Sequence, residues 1–360
     1  MGAMVRPVKK IRPYQVGRIV VRAPTWVGDA VMSLPALRAV RHLFPGSNIT
    51  VAARPGTADI FSEADFVDSV LINERGFLPS VSQLRHGKFD LALLLQNSFA
   101  AALTSFAARI PLRIGYETDR RGLLLTTAIP VPAWKNERHE SLYYLNIVSA
   151  LQTQVERSAA ISSAAPSSAL HVSEQRRAAA RKLITEAGAS SDQPLIVLCP
   201  GSVNSRAKRW PAERYAGLSD RFTANGMTVV LIGSAAEVEV SREVSARTER
   251  KPIVLTGRTS VAEVVGLISM ADLLVTNDTG PAHVGAAVGT PTLVIFGPTN
   301  PLTTFPLSPT AEMIREPPDC APCMLRDCPI DHRCMTAISV DQVFERGRSL
   351  ARRRAVQLIG

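Results

Sequence analysis

Short apolar runs alternate with amphipathic stretches in the first half of the chain. The apolar runs are residues 17–24, 48–55, 68–73 and 88–96. Short apolar runs separated by helical patterns are typical of strands buried on both faces, and hence of a parallel sheet. A helical pattern over 29–44 contains Pro35, so either one kinked helix starts at Gly28 and Asp29, or Ser33 caps a helix that begins at Leu34.

The same alternation restarts in the second half. Its predicted strands are residues 194–201, 227–234, 251–258, 271–278 and 290–299, and its predicted helices cover 174–189, 213–225, a stretch from 237, and 261–270. Between the halves, residues 158–170 are rich in Ser and Ala, which predicts an interdomain linker or a loosely ordered loop. We therefore predict an α/β protein of two domains whose strand-end loops face a cleft, because ligands collect at the carboxyl ends of parallel strands.

Composition adds a bias toward anionic partners. The 360 residues are 46% hydrophobic, enough for two cores, and carry a formal net charge of +10. Only 5% of the residues are aromatic and no basic run is interleaved with aromatics, so nucleic acid is not an expected partner. A phosphorylated small molecule, an acidic glycolipid or an anionic membrane face remains open.

The sequence shows no targeting signal that we recognise. The first residues include Lys and Arg but no long apolar segment, and no apolar stretch reaches the roughly 18 residues of a membrane span. We predict a cytoplasmic protein with reduced cysteines, with a peripheral position on the inner face of the cytoplasmic membrane as an extension.

Four predicted strand-end loops carry candidate chemistry. In the first, Asp29 at a helix start is a candidate general base, or simply an acidic residue of a first turn. In the second, Gly201 and Ser202 end a strand, and Lys208 with Arg209 suits a diphosphate unless both are solvated.

The third and fourth loops favour a nucleotide-linked ligand. Glu237 could accept hydrogen bonds from a sugar hydroxyl, although a carboxylate at a helix start needs no such role. In the fourth, Asp278, Thr279 and Gly280 lead into a predicted helix whose first N–H groups lack partners, and His283 follows one turn later. This strand, turn and helix predicts a phosphate site, or else a plain capped turn with His283 in the core.

Two absent motifs exclude common alternatives. No GxGxxG follows the first strand, which disfavours a nicotinamide dehydrogenase. No Asp-x-Asp occurs, which removes the usual carboxylate clamp for a metal-bound nucleotide diphosphate.

Taken together, these motifs resemble the lipopolysaccharide heptosyltransferases of glycosyltransferase family 9. The resemblance covers residues 18 to about 344 and rests on PTWVGDAVMSLPALRAVR, QNSFAAALTSFAARIPLRIGY, CPGSVNSRAKRWP and NDTGPAHVGAAVGTPTLVIFGPTNP. The second of these segments is more like that of the enzymes that add the second heptose than that of those that add the first. The resemblance implies a GT-B fold, with two Rossmann-like β/α/β domains facing a central cleft.

The resemblance also implies an activity. The family transfers L-glycero-D-manno-heptose from ADP-heptose to the lipopolysaccharide inner core, with inversion and without a divalent metal or other cofactor. It implies that Asp29 is the catalytic base, that Lys208 neutralises the diphosphate, and that Thr279, Gly280 and His283 hold it.

Further donor-site residues follow from the same motifs. The resemblance implies that Asp278 and Ser202 line the donor pocket beside Gly201 and Arg209, and that Glu237 contacts the nucleoside. The expected partners are ADP-heptose and an anionic lipid A-core glycolipid.

Domain roles follow as well. We expect an acceptor-binding domain at 1–172, a donor-binding domain at 173–340, and a basic terminal helix at 341–360 that crosses back to the first domain or lies loose at a membrane. The basic residues proposed to contact the acceptor, whose alternative is a solvated face, are Arg109, Arg113, Arg120 and Arg121.

Four cysteines stand apart from this scheme. Cys320, Cys323, Cys328 and Cys334 fall within fifteen positions, which is typical of a zinc or iron–sulfur site, but the spacing is tight for a zinc ribbon. Reduced thiols without a metal are the simpler interpretation, and we predict no metal site.

Other functions remain open on sequence alone. They are a nucleotide-sugar epimerase of GT-B type, a transferase of the same family with another sugar, and a non-catalytic nucleotide-sugar or glycolipid binding module.

Overall fold

The computed structural model describes residues 11–12, 15–73, 76–155, 166–190 and 192–359, with side chains as far as residue 352. The chain divides into two compact units, Met1–Ser168 and Ala169–Gly360. The boundary predicted at residue 172 falls close to this division, and the separate roles of the two domains stay a prediction.

The first unit contains a parallel sheet of six strands. These are β1 Arg18–Arg22, β2 Asn48–Ala53, β3 Ser69–Ile72, β4 Leu91–Leu94, β5 Leu112–Tyr116 and β6 Thr127–Ile129, in the order β3-β2-β1-β4-β5-β6. Its helices are α1 Val27–Met32, α2 Leu34–Leu43, α3 Pro55–Ala58, α4 Phe77–His86, α5 Phe99–Ala107 and α6 Glu140–Gln152, with a 3₁₀ segment at Thr118–Leu124. Strand order reverses direction between β1 and β4.

The second unit repeats this plan. Its strands are β7 Leu195–Cys199, β8 Thr228–Leu231, β9 Ile253–Val254, β10 Leu273–Asn277, β11 Thr292–Phe296 and β12 Ala311–Arg315, all parallel in the order β12-β11-β10-β7-β8-β9. Its helices are α7 Glu174–Glu186, α8 Ala212–Ala224, α9 Val238–Arg247, α10 Val261–Met270, α11 Gly280–Ala287, α12 Pro301–Thr304, α13 Arg333–Thr336 and α14 Val340–Ile359. Here the order reverses between β7 and β10.

Burial explains why the apolar runs become central strands. Every residue of β4, β7 and β10 is buried, so these strands have helices on both faces of their sheets. An apolar run without polar alternation is the pattern that such strands require. The predicted α/β class with two parallel sheets is confirmed.

The helical pattern around Pro35 divides into two helices. Helix α1 ends at Met32 and α2 begins at Leu34, with Pro35 in its first turn, where the missing N–H breaks no hydrogen bond. Ser33 joins the helices but does not cap α2, because its Oγ donates to Ala30 O over 2.7 Å. The structure therefore combines parts of the two alternatives: a helix begins near Gly28, and a second begins at Leu34.

The predicted linker is described only in part, and the predicted tail is helix α14. Of the predicted linker 158–170, residues 158–165 lie outside the described residues, and Leu170 N donates to Ala287 O in the second unit. Helix α14 packs on α8, β10 and β11, with the Phe344 and Phe222 ring centroids 5.1 Å apart. The predicted crossing of this helix to the first domain stays a prediction. No helix in the part of the chain that the structure describes has the length and apolarity needed to span a bilayer.

Candidate active site

The second sheet brings two of the predicted loops together. Strands β7 and β10 are neighbours, and the connections that follow them run to opposite sides. In open α/β sheets such a reversal opens a crevice at the carboxyl ends of the strands. The loop 200–209 leaves β7 at this edge, and residues 278–279 leave β10 beside it.

Asn277 binds these two loops together. Its Oδ1 accepts hydrogen bonds from Trp210 N and from the Tyr215 hydroxyl, both at 3.1 Å. Its Nδ2 donates to Pro200 O at 2.9 Å and to Gly201 O at 3.1 Å. The side chain is fully buried with its donors and acceptor satisfied, so it fixes the spacing of the loops. Sequence reasoning missed Asn277, although a polar residue at the end of a buried strand was a usable signal.

Lys208 is held against Asp278. Its Nζ donates to Asp278 Oδ2 over 2.9 Å and to Asp278 O over 3.1 Å, and Thr299 Oγ1 donates to the same Oδ2 over 2.7 Å. The Lys208 side chain is 25% exposed and that of Asp278 only 4%. An ammonium has three N–H donors, so one is left for a ligand at this edge. The structure thus brings the predicted Lys208 and Asp278 into one cluster.

Helix α11 starts directly beside this pair. Thr279 is its N-cap residue, but the Thr279 side chain does not cap the helix, and its Oγ1 lies 3.2 Å from Thr276 Oγ1. The helix begins with Gly280 and has Pro281 in its first turn, so its first N–H groups lack partners inside the helix. His283 is buried within the helix, one turn from its start. The predicted contact of these residues with a diphosphate stays a prediction.

Arg209 supports the loop after β7. Its Nε and Nη2 donate to Ser202 O at 3.2 and 2.9 Å, which curls the loop back on itself. Ser202 is buried, and these bonds within the loop fix its shape without a ligand. A direct contact of Arg209 or Ser202 with a donor stays a prediction.

Glu237 caps its own helix and also packs against this loop. Its Oε2 accepts from Ser234 N and Ser234 Oγ, both at 2.7 Å, in a capping box. A Cβ placed on Gly201 would lie 2.2 Å from Glu237 Oε1, so only glycine fits there. The structural role weighed for Glu237 is therefore present, while its contact with a nucleoside stays a prediction.

Cys199 lies at the same edge but is not set up as a nucleophile. Burial, and next the charge of Glu237, raise the pKa of the Cys199 thiol to about 12. The thiol is therefore protonated at neutral pH, and the thiolate is the reactive form.

In the first unit, Asp29 lies in the first turn of α1 and is half-buried. The Tyr144 hydroxyl, from α6, donates a hydrogen bond to the Asp29 carboxylate. Burial raises the pKa of Tyr144 well above its usual value, and the charge of Asp29 adds to this effect. Tyr144 therefore orients the carboxylate as a neutral phenol, a role that sequence reasoning missed.

Arg121 does not contact a partner as predicted. It is fully buried and donates from Nε to Tyr116 O, from Nη1 to Gln96 O and Ser98 O, and from Nη2 to Asn97 Oδ1. These bonds use the guanidinium to hold the loop between β4 and α5. The prediction that Arg121 touches an acceptor is wrong, because the residue is part of the fold.

The other three arginines proposed for the acceptor remain at or near the surface. Arg109 and Arg120 are exposed, whereas Arg113 is half-buried and donates to Leu124 O and Ile110 O. Their contact with an acceptor stays a prediction.

The cysteine-bearing segment supports the loop that carries Lys208. Ala207 N donates to Arg326 O over 2.9 Å, and His332 Nε2 donates to Ala207 O over 2.6 Å. Ser205 Oγ is 3.2 Å from both Leu325 O and Arg326 O. The segment therefore packs directly against the loop 200–209.

The cysteines themselves are unpaired thiols. Burial, and then the charges of Cys328, Cys323 and Cys320, raise the pKa of Cys334 to about 11. Within the described ranges, no group of three or more His, Cys, Asp or Glu side chains is placed to hold a metal ion. The predicted absence of a metal stays a prediction.

Comparison with known proteins defines the class. The structure is similar to that of the Escherichia coli ADP-heptose lipopolysaccharide heptosyltransferase II, with a TM-score of 0.82 and 29% identity, over 94% of this chain and 99% of the other. A family 9 glycosyl transferase from Veillonella parvula shares the fold, with a TM-score of 0.77 and 24% identity, over 93% and 97% of the two chains. The fold is thus that of a GT-B glycosyltransferase.

Sequence comparison names the family. The model of glycosyltransferase family 9 (heptosyltransferase) matches residues 80–333. Lipopolysaccharide heptosyltransferase 2 of Salmonella typhimurium is 33% identical over 316 residues, which cover 83% of this chain and 88% of that protein. The chain belongs to glycosyltransferase family 9, and the predicted membership is confirmed.

Proposed function

We propose that this chain transfers L-glycero-D-manno-heptose from ADP-heptose to the inner core of lipopolysaccharide, as the second heptose. The observation that carries the proposal is the Lys208–Asp278 pair beside the start of α11, in a chain 33% identical to a lipopolysaccharide heptosyltransferase 2. The transfer to lipopolysaccharide is that of this relative, and the donor is that of the similar E. coli enzyme, an ADP-heptose heptosyltransferase.

The proposed donor site stabilises a leaving diphosphate. As the bond to the anomeric carbon breaks, negative charge grows on ADP, and groups already fixed in place stabilise it most effectively. Lys208 keeps one N–H for this charge, and the first turn of α11 adds unpaired backbone donors. Asp278 and Thr299 hold the ammonium in position, so little reorganisation accompanies the reaction.

The proposed base is Asp29. In an inverting displacement, the acceptor hydroxyl attacks the anomeric carbon from the face opposite ADP and loses its proton to a carboxylate. The hydrogen bond from Tyr144 orients the Asp29 carboxylate, which is proposed to accept that proton. The transfer is proposed to need no divalent metal, since Lys208 and the α11 start supply the positive charge.

The acceptor is proposed to be an anionic lipid A-core glycolipid at the inner face of the cytoplasmic membrane. The net charge of +10 favours such a surface. Exposed Arg109 and Arg120 are the candidates for peripheral contact with it.

The test is incubation of the full chain with ADP-heptose and a core glycolipid that carries one heptose, followed by mass measurement of the glycolipid. A gain of one heptose unit, undiminished by EDTA, is the expected result. Loss of activity in EDTA contradicts the metal-free transfer. Conversion of ADP-heptose without acceptor would indicate an epimerase, and transfer only from another nucleotide sugar would replace the donor.

A further inference from the structure

Arg22 is the last residue of β1 and lies at the carboxyl edge of the first sheet. Strand order reverses between β1 and β4, so this edge is where an open α/β sheet binds ligands. Arg22 is nevertheless buried, with 6% of its surface exposed. No motif of the sequence pointed to it.

The guanidinium of Arg22 has few hydrogen-bond partners in the protein around it. Its Nη1 donates to Thr104 Oγ1 over 3.4 Å, a long bond, and its Nε is buried without a hydrogen-bond partner. Across the described residues, no carboxylate forms an ion pair with it. An unpaired buried charge is strongly destabilising, so proteins rarely keep one without a use.

Other arginines of the same unit show that this is not a general property of the fold. Arg121 is also buried, but its guanidinium donates to four oxygen atoms. Arg18, at the other end of β1 and on the same face, is exposed and donates to Gly87 O over 2.7 Å. Arg22 therefore differs in having both burial and an unfilled donor set.

Arg22 remains a cation under physiological conditions. Burial lowers the pKa of Arg22 to about 10, which still leaves the guanidinium charged at pH 7. Its unused donors suit an oxyanion, because a guanidinium binds phosphate and carboxylate oxygens in pairs. Helix α5, which carries Thr104, begins with the exposed Phe99 at the same edge.

We infer that Arg22 binds an anionic group, phosphate or carboxylate, of the acceptor glycolipid at the carboxyl edge of the first sheet. This inference rests on the proposed function. We assign the anion to the acceptor and not to the donor because Arg22 lies at the same sheet edge as the loop that carries Asp29. The proposed donor residues belong to the other unit.

The experiment compares Arg22→Met with Arg22→Lys and a matched control, Arg18→Met, in steady-state kinetics and thermal melts. Arg22→Met is expected to raise the acceptor KM about tenfold or more, the effect of a lost charge-assisted hydrogen bond, with donor KM unchanged. It is also expected to keep or raise Tm, because an unpaired charge leaves the interior. Arg22→Lys should recover part of the acceptor KM, and Arg18→Met should leave it at the wild-type value.

Two outcomes of the kinetic experiment overturn the inference. A raised Tm with an unchanged acceptor KM makes Arg22 an unsatisfied structural residue without a ligand. A raised donor KM with an unchanged acceptor KM assigns its anion to the nucleotide diphosphate. An acceptor whose phosphates have been removed identifies the group: wild-type KM then equals that of Arg22→Met if the group is phosphate, and Arg22 dependence persists if it is carboxylate.

A separate binding experiment distinguishes the failure of this inference from the failure of the proposed function. If the wild-type chain transfers no heptose, the proposed function fails, but Arg22 is still testable with inorganic phosphate. In a Lys208→Ala background, which removes the donor-side cation, phosphate should raise Tm when Arg22 is present and not when it is Met. If neither inorganic phosphate nor acetate, the carboxylate probe, shifts Tm with either residue, the anion site is overturned, whatever the enzyme's substrate.

Discussion

The carboxyl edges of the two sheets differ in how fully their buried polar side chains are hydrogen-bonded. At the edge of the second sheet, Asn277 uses both ends of its amide, and the Lys208 ammonium pairs with Asp278. At the edge of the first, Arg22 is buried with an unused Nε, and Trp26, just before α1, is 50% exposed. The second edge satisfies its buried side chains with internal hydrogen bonds, whereas the first, although Arg121 holds the loop after β4, keeps the buried Arg22 largely without partners.

This difference has an energetic meaning. Loops that are held by internal bonds lose little entropy when a ligand binds, and their charges are already in place for catalysis. Unmatched groups reduce stability until a ligand arrives. We expect substitutions at the second edge to reduce both stability and turnover, and those at the first edge to separate the two.

The largest expected effect is that of Asp29→Asn. Loss of a general base typically lowers kcat about 10²–10⁴-fold, and the amide keeps the size of the side chain. ADP affinity, measured by calorimetry, should remain near the wild-type value, because Asp29 belongs to the first unit. Asp65→Asn, at an exposed carboxylate of the same unit, is the control. Wild-type kcat in Asp29→Asn would remove Asp29 from the mechanism.

Lys208→Ala should follow in size, with kcat/KM lowered about 10²–10³-fold and ADP bound more weakly. It also leaves the Asp278 carboxylate buried without its ammonium, so Tm should fall. Adding Asp278→Asn should restore Tm but not turnover, which separates the two roles of Lys208. Lys182→Ala, at an exposed lysine of α7, provides the comparison. Unchanged donor kinetics in Lys208→Ala would contradict the proposed donor site.

Asn277→Leu tests whether the hydrogen bonds of the Asn277 amide hold the loops of the second edge in place. It leaves the buried carbonyls of Pro200 and Gly201 and the Trp210 N–H without partners, while the Tyr215 hydroxyl keeps its bond to Cys199 O. We expect a loss of about 2–4 kcal/mol together with a higher donor KM. Tyr215→Phe removes one of the Asn277 bonds together with the longer donation to Cys199 O at 3.3 Å, and about 1 kcal/mol is expected. Thermal melts and donor titrations measure both, with the exposed Asn225→Ala as reference. Equal stability of Asn277→Leu and wild type would show that the loops do not depend on this amide.

The smallest effect concerns thiol reactivity. At pH 8, a pKa of about 12 leaves on the order of 10⁻⁴ of Cys199 as thiolate, and a pKa of about 11 leaves on the order of 10⁻³ of Cys334. Both thiols should therefore resist alkylation. Exposed Cys320 should be modified first, as read by peptide mass spectrometry, and all five cysteines should react after denaturation. Protection of Cys320 together with stoichiometric metal in elemental analysis would contradict the metal-free interpretation.

Local sequence was enough for the strands and the turns, and the roles of the candidate residues at the second edge stay predictions. Residues 271–278 are apolar up to a polar turn and precede a helix, and that order of features alone indicates a strand, a turn and a helix start. It failed for Arg121, because two adjacent arginines beside polar residues have the local pattern of a solvated face. Burial of that guanidinium depends on carbonyls of Gln96 and Ser98, more than twenty positions away.

The sequence by itself therefore determined the fold class, the strand-end loops and the residue types of the proposed diphosphate site, since each depends on neighbours within a few positions. Only the tertiary structure decided which of these groups touch: Lys208 meets Asp278 across 70 positions, and Asn277 meets Pro200 across 77. The tertiary structure also left Arg22 buried and unpaired. The physical reason is that hydrogen bonds and charge pairing depend on strand order, which places β10 beside β7, and no local pattern contains that order.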